Sequence, residues 1–384
     1  MKCIICDVEK KRDELSLEHI FPQSLGGALC NADFKTRLVC RTCNSKMGLF
    51  VDAMLTKTFH SQHHMVETSF RYFDPDNLMV MPLTYLGHMQ NLDLEDGFTC
   101  ELWVGPIGGL VYHLRKASNS NYDFYAGGNP IDLKKDAGVV YIFTQHQDDY
   151  WTIIFLVSAR EKFKKSKRIS GNLTLPNEPD FFSIPSRKED ELLKKLQSIQ
   201  GKNHEVTFKV LHGYEQRFMC KFALTYGFNR LGDDFINSRY AHSLRNALWA
   251  ISQDLRNSFG ISFSESFTTQ DEWAHLSWIG IHTITILPLV DKLLAIIYLF
   301  GRQCMTIVIS DEPSLWRGKI INDEVYVICQ TLNIFLGPYT IENFVNHRTG
   351  VEIIPSLNEI DLKEFDVSTL PTIYDLLDED VISE

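Results

Sequence analysis

The chain has 384 residues and a mass of 44.2 kDa, 44% of it hydrophobic, enough for two or three domains with cores of their own. MKCIICDVEKKRDE turns polar at once, without the apolar stretch of a secretory leader. The longest apolar run, WIGIHTITILPLVDKLLAIIYLF from Trp278, is broken by Pro288, Asp291 and Lys292 and is rich in β-branched residues, so it reads as paired strands rather than a membrane span. A cytoplasmic location without membrane contact is expected. The net charge is −11, but Asn358 to Glu384 alone carries nine acids against Lys363, which leaves only −3 for the rest and does not exclude a polyanionic partner.

In chain order, residues 1–65 read as a small unit. Short strands are expected at Lys2–Ile5 and Leu17–Phe21, with a turn at Gly26 and Gly27. After Cys40 the spacing of Met47, Val51, Met54 and Leu55 predicts a helix, with Thr42 as its cap and Gly48 weakening it by about 1 kcal/mol. Residues 66–185 read as β-rich: NLMVMPLTYL, FTCELWVG, GLVYHL, AGVVYIFTQ and YWTIIFLVSA each resemble an antiparallel strand. Residues 186–384 read as α+β. A helix is expected at Arg187–Gln200, helices recur between Tyr214 and Arg256, WIGIHTITIL, LLAIIYLFG and CMTIVIS add strands, and an acidic tail starts at about residue 358. The expected class is α+β, a small metal-stapled unit followed by a larger mixed region with antiparallel sheet.

Nine cysteines without an export signal point to thiols and a metal rather than disulfides. Cys3, Cys6, Cys40 and Cys43 form two CxxC pairs, and four thiolates complete the tetrahedron of a structural zinc ion with no position left open for water. Cys30, Cys100, Cys220, Cys304 and Cys329 lack such neighbours and read as buried small hydrophobes. Between the two pairs stand Glu18 and His19, and directly after the fourth cysteine stands Asn44. An imidazole can act as a base near neutral pH, and carboxylate and carboxamide oxygens suit Mg²⁺ or Mn²⁺; together these are the needs of phosphodiester hydrolysis. Neighbouring strand residues face opposite ways, so Glu18 and His19 can share a site only where the strand ends or bulges, and Pro22 is consistent with such a break.

CIIC, EHIFPQSLGG and VCRTCNSKMG together resemble the HNH (His-Asn-His) endonucleases of the ββα-metal fold, in the branch with a four-cysteine zinc. The resemblance covers about the first sixth of the chain. It implies that His19 is the general base, Glu18 a ligand of the catalytic ion where the wider family carries Asp, and Asn44 the ligand from the helix. The middle Asn that orients the base in many members has no clear counterpart, Thr36 standing near its place, and Gly48 sits where some members carry a further His.

Arg37, Arg41 and Lys46 surround the second CxxC pair and could hold backbone phosphates. REKFKKSKR, from Arg160 to Arg168, is the densest basic run and reads as a loop after a strand, either solvated or part of a nucleic-acid track. His60, His63 and His64 read as surface or satisfied histidines. The tail segment TIYDLLDEDVI reads as a solvated end, a mimic of DNA or a docking segment. The expected function is a metal-dependent endonuclease acting on DNA, with RNA as an open substrate, and by analogy with similar bacterial proteins an effector of restriction or antiphage defence. A protein partner or a second copy would bind through the C-terminal region. The competing reading is a non-catalytic zinc module that binds DNA or protein.

Overall fold

The computed structural model describes residues 1–74, 80–90, 92–105, 108–117, 138–144, 149–166, 168–171, 182–183, 186–209, 213–266 and 274–365. The chain packs into two compact units, one from Met1–Thr56 with His212–Glu364, the other from Lys57–Leu211 with Phe365–Glu384. This grouping differs from the consecutive blocks 1–65, 66–185 and 186–384 read from the sequence. The N-terminal segment finds its apolar partners about 200 residues further along the chain.

The first unit opens with strands β1 (Leu15–His19) and β2 (Lys35–Cys40), paired antiparallel, followed by helix α1 (Arg41–Met47), a π-helical turn Gly48–Asp52 and the short α2 (Ala53–Thr56). This is a ββα arrangement within an α+β chain. The strand expected at Lys2–Ile5 is reduced to a single bridge, Lys2 to Glu9. Cys3 to Asp7 instead wraps into a turn, closed by Asp7 N–H donating to the Cys3 carbonyl at 2.9 Å with Asp7 at φ 58°. Cys40, extended and without a side-chain cap, is the N-cap of α1, so Thr42 lies inside the helix. Gly48 opens the π-helical turn rather than interrupting one continuous helix. Met47, Val51, Met54 and Leu55 are all buried, as their spacing indicates.

The second unit comprises α3 (Phe59–Arg71), β3 (Thr84–Met89), β4 (Phe98–Val104), β5 (Leu110–Lys116), β6 (Val139–Phe143), α4 (Asp149–Lys162), β7 (Arg168–Gly171), α5 (Arg187–Ser198) and β8 (Val206–Thr207). Its sheet runs β7-β6-β5-β4-β3-β8, antiparallel except for β6 with β7. YWTIIFLVSA is not a strand; it forms α4. Phe155, Leu156, Ala159 and Phe163 recur at helical spacing and lie on the sheet against Trp103, Val111 and Ile142, which overrides the local β preference. NLMVMPLTYL begins outside the described residues, and its strand starts only at Thr84.

One polar network is buried among β3, β4 and β5. Glu101 accepts from Arg115 Nε at 2.7 Å, His113 Nδ1 at 3.0 Å and Trp103 Nε1 at 3.3 Å. Burial alone would raise the Glu101 carboxyl, but the His113 hydrogen bond and the charges of His113, Arg115 and His88 hold it well below the usual carboxylate range.

The chain returns to the first unit with α6 (Tyr214–Leu231), α7 (Asp233–Ile236), α8 (Arg239–Trp249), α9 (Gln253–Asn257), β9 (Phe263–Ser266), β10 (His282–Pro288), β11 (Leu293–Leu299), β12 (Gln303–Ser310), α10 (Pro313–Trp316), β13 (Glu324–Cys329), β14 (Ile334–Tyr339), α11 (Ile341–Arg348) and α12 (Pro355–Asp361). The sheet runs β14-β13-β10-β11-β12-β9, antiparallel throughout. The long apolar run of the sequence is its central hairpin, β10 with β11. Among the described residues no helix is long and apolar enough to cross a membrane. The acidic tail beyond residue 365, including TIYDLLDEDVI, lies outside the described residues.

Helix α6 joins the two chain segments of this unit. Phe34, fully buried in the turn before β2, lies 5.4 Å from Tyr226, 4.9 Å from Tyr326, 5.8 Å from Phe335 and 6.4 Å from Phe222. Phe21 meets Phe218 at 6.1 Å and His282 at 5.4 Å. Asn229 Nδ2 donates to the carbonyls of Ala32 and Asp33 at 3.1 and 2.8 Å. From α8, the buried Arg245 donates from Nε to the Ile4 carbonyl at 2.9 Å.

Truncating Phe34 to Ala is expected to cost about 3–5 kcal/mol of unfolding free energy, because the cavity opens among four aromatic rings; a urea titration checks this, and a loss under 1 kcal/mol contradicts the packing role. In the second unit, a carboxylate depressed in the folded state contributes stability above an unfolded value of about 4.3, and that stability is lost as pH falls. Glu101→Gln is therefore expected to lower the urea midpoint at neutral pH, with the gap to wild type closing below about pH 4. A gap independent of pH contradicts the charged network.

Candidate functional site

The four cysteines of the two CxxC pairs come together: their Sγ atoms all lie within 4.8 Å of one another, and among the described residues this is the only cluster of metal-ligating side chains. Cys3, Cys40 and Cys43 are buried while Cys6 lies at the surface. The first pair is carried by the Cys3–Asp7 turn, the second by the junction of β2 and α1, and Cys40 N–H donates to Cys3 Sγ at 3.3 Å across them. Four soft donors at this spacing fit tetrahedral zinc, whose Zn–S bonds of about 2.3 Å place sulfurs about 3.8 Å apart. With all four positions taken by thiolates, such an ion is structural.

Glu18 and His19 close β1. Between Ser16 and Glu18 the register with β2 shifts by one residue, so the strand bulges just before the pair, and Glu18 stands opposite Thr36. Beyond His19 the chain turns at Pro22 into a short 3-10 turn, Gln23–Leu25. Gly26 ends that turn at φ 94°, and a Cβ on Gly27 would stand 1.9 Å from the Phe21 carbonyl oxygen, so the Gly pair is required by backbone conformation at one position and close approach at the other. The turn returns Gln23 to the imidazole: its Nε2 lies 2.9 Å from His19 Nδ1 and 3.3 Å from His19 Nε2. An amide N–H donates, so the ring nitrogen that accepts from Gln23 carries no proton of its own. Thr36, near the place of the orienting Asn in the family pattern, has its hydroxyl turned to its own chain, accepting from Leu38 N–H at 3.4 Å. Gln23 is the residue in contact with the ring. Burial, with the charges of Lys35 and Lys221, lowers the His19 pKa and favours the neutral, proton-accepting imidazole.

Asn44, in α1, donates from Nδ2 to the Leu17 carbonyl at 2.7 Å and to Ser16 Oγ at 3.1 Å. The helix is thereby tied to the strand that carries Glu18 and His19. Glu18 is 3% exposed and is not free. Its Oε1 accepts from Lys221 Nζ at 2.6 Å. The same ammonium donates to Asp52 at 2.7 and 2.8 Å and to the His19 carbonyl at 3.0 Å. Burial raises the Glu18 carboxyl, opposed by the Lys221 charge and reinforced by Asp52. For Lys221 burial favours the neutral amine, but Asp52 and Glu18 outweigh it and hold the ammonium charged. Removing one partner of such a buried set costs about 3–5 kcal/mol.

Neither Lys221 nor Asp52 stands out in the N-terminal motifs. The signal for Lys221 lay elsewhere, in FMCKFALTYGF, where one cation sits in a helix apolar on nearly every side and must therefore be paired. Asp52 is aimed by the π-helical turn, which periodicity does not reveal.

Counted as ionised, the two carboxylates and the ammonium leave one formal negative charge, and carboxylate and carboxamide oxygens are by their chemistry hard donors of the kind a divalent cation takes. Arg37, Arg41 and Lys46 are all exposed. The basic run from Arg160 is not a loop after a strand: it is the end of α4 and the turn into β7, in which Lys164 pairs with Glu161, Arg168 with Glu189, and Lys162 Nζ stands 4.4 Å from the Trp103 ring centroid. His60, His63 and His64 lie on α3 in the second unit, with His63 stacked on Phe59 and His64 paired with Glu67.

Residues 3–60 match the HNH endonuclease family, a span that holds the four cysteines, β1, β2, α1 and the Glu18–His19–Asn44 set. The match supports nuclease activity on a nucleic-acid substrate for this part of the chain. No curated protein and no solved structure matches the chain.

A single zinc per chain is expected by elemental analysis of the purified protein, and Cys43→Ser is expected to abolish it together with the protease resistance of the first sixty residues. Zinc retained in full by Cys43→Ser contradicts the four-thiolate site.

Proposed function

We propose that the protein is a metal-dependent HNH endonuclease that hydrolyses phosphodiester bonds, of DNA foremost, with His19 as general base. The observation that carries this reading is the neutral-favouring, half-buried imidazole of His19, held by Gln23 at the end of a bulged strand inside the span that matches the family. His19 takes a proton from water, the resulting hydroxide attacks phosphorus in line, and the 3′ oxygen departs to leave a 5′ phosphate. Gln23 holds the orientation of the ring through the transfer. Glu18 and Asn44 would hold Mg²⁺ or Mn²⁺, which when bound neutralises charge on the phosphoryl and leaving oxygens. Exposed Arg37, Arg41 and Lys46 would grip neighbouring phosphates, a sequence-independent contribution that weakens as salt rises.

So small a module has few side chains to read bases, so the six-stranded sheets and their helices are assigned the choice of substrate or partner. Restriction or antiphage defence in the cytoplasm is the biological setting attached by analogy. The pairing of Glu18 with Lys221 favours a second reading, a non-catalytic zinc module that binds DNA or protein.

His19→Ala separates the two. Nicking of a supercoiled plasmid with Mg²⁺ or Mn²⁺ is expected to fall by at least about a hundredfold while zinc content and the urea midpoint stay unchanged. Cleavage equal to wild type rules out His19 as the base, and no cleavage of plasmid, single-stranded DNA or RNA by wild type favours the binding module.

A further inference from the structure

Lys221 is fully buried, and each proton of its ammonium has an acceptor: Glu18 Oε1 at 2.6 Å, the Asp52 carboxylate at 2.7 Å and the His19 carbonyl at 3.0 Å. Two of these acceptors belong to the adjacent pair that the nuclease reading makes ligand and base. The third, Asp52, has a side chain 21% exposed, so the charged set is closed by α6 on one side and reaches solvent at the carboxylate end. Lys221 is brought here by α6, on the helix stripe Phe218, Lys221, Phe222, Tyr226 and Asn229 that carries the other contacts to the N-terminal segment. Its ammonium touches the backbone carbonyl of His19 rather than the ring, which is bonded by Gln23.

We infer that Lys221 is a positioning residue of the nuclease site: it fixes the end of β1 through Glu18 and the His19 carbonyl and, by neutralising one of two carboxylates, lowers the affinity of the Glu18–Asn44 donors for the divalent ion. The inference rests on the nuclease reading. Counting Glu18 and Asp52 as ionised, the set carries one formal negative charge with Lys221 and two without it. A lysine serving only to staple α6 to β1 would, when replaced by an apolar side chain of similar length, cost stability by leaving Glu18 and Asp52 unpaired, with no gain in cation affinity. A lysine that tunes the site cannot be replaced in this way, because at short range in a partly desolvated site a unit charge changes cation affinity by orders of magnitude.

The test is Mn²⁺ binding by calorimetry to the full-length, zinc-loaded protein at pH 8, with no nucleic acid present. Lys221→Met is expected to bind at least about tenfold more tightly than wild type, Lys221→Arg within about threefold of it, and Asp52→Asn at least about threefold more weakly. Binding by Lys221→Met where wild type shows none also supports the inference. Equal or weaker binding by a folded Lys221→Met overturns it, as does the absence of binding to both. Should Lys221→Met not fold, Asp52→Asn decides, since affinity equal to wild type overturns the charge argument. At saturating Mn²⁺, plasmid cleavage is expected to lose at least about tenfold in kcat in Lys221→Met, with KM within about threefold, and to be largely restored in Lys221→Arg. Unchanged kcat in Lys221→Met overturns the positioning role. A wild type that cleaves nothing sinks the nuclease reading, whereas the calorimetric series stands or falls by itself.

Discussion

A buried ammonium that cannot shed its charge constrains everything around it. Lys221 has no access to water, so its three protons must be met by protein, and they are met by Glu18, Asp52 and the His19 carbonyl. Each acceptor is aimed by a departure from regular structure: the bulge ahead of Glu18, the strand end at His19 and the π-helical turn that ends in Asp52. The desolvation cost of the ammonium makes these departures cooperative, because loss of any acceptor leaves charge uncompensated in a dry environment.

The same helix that delivers Lys221 delivers the packing. Phe218, Phe222 and Tyr226 receive Phe21 and Phe34 from the N-terminal segment, and Asn229 satisfies two carbonyls of its turn. A ββα unit of some fifty residues buries too little apolar surface to hold itself together. It is reinforced twice, by four thiolates placed for one ion and by the wall that α6 and the sheet provide. Arg245 links the two reinforcements, since it bonds the Ile4 carbonyl inside the first CxxC turn. The Glu18–His19 pair therefore stands on a scaffold whose parts lie about 200 residues apart in the chain, and the imidazole is positioned by tertiary contacts as much as by its own motif.

Much of this was legible in the residues. The two CxxC pairs announced a thiolate cluster because a tetrahedron of soft donors needs four such residues in two short turns, and EHIFPQSLGG announced a strand that ends, turns on glycines and offers an imidazole. Met47, Val51, Met54 and Leu55 pointed inward at helical spacing, and they do. Other local patterns mislead for identifiable reasons. YWTIIFLVSA carries β-branched residues that favour a strand locally, yet its Phe155, Ala159 and Phe163 cover a sheet as a helix. The basic run from Arg160 drew attention through its charge density, and several of those charges are spent on neighbours.

The sequence by itself determined the chemistry available at the N-terminus: which thiolates can hold an ion, which imidazole can take a proton, and that a proline and two glycines end the strand between them. Local spacing suffices for this, because donors in a short turn or at a strand end are close whatever the rest of the chain does. Only the tertiary structure decided what those groups face. Glu18 reads as a ligand and is found clasped by Lys221, Gln23 belongs to no motif singled out and is found against the imidazole, and the first block of sequence is found to share its core with the last. Contacts between residues 200 positions apart are set by which apolar surfaces can bury one another and which charges must then be paired, and no local periodicity encodes that choice.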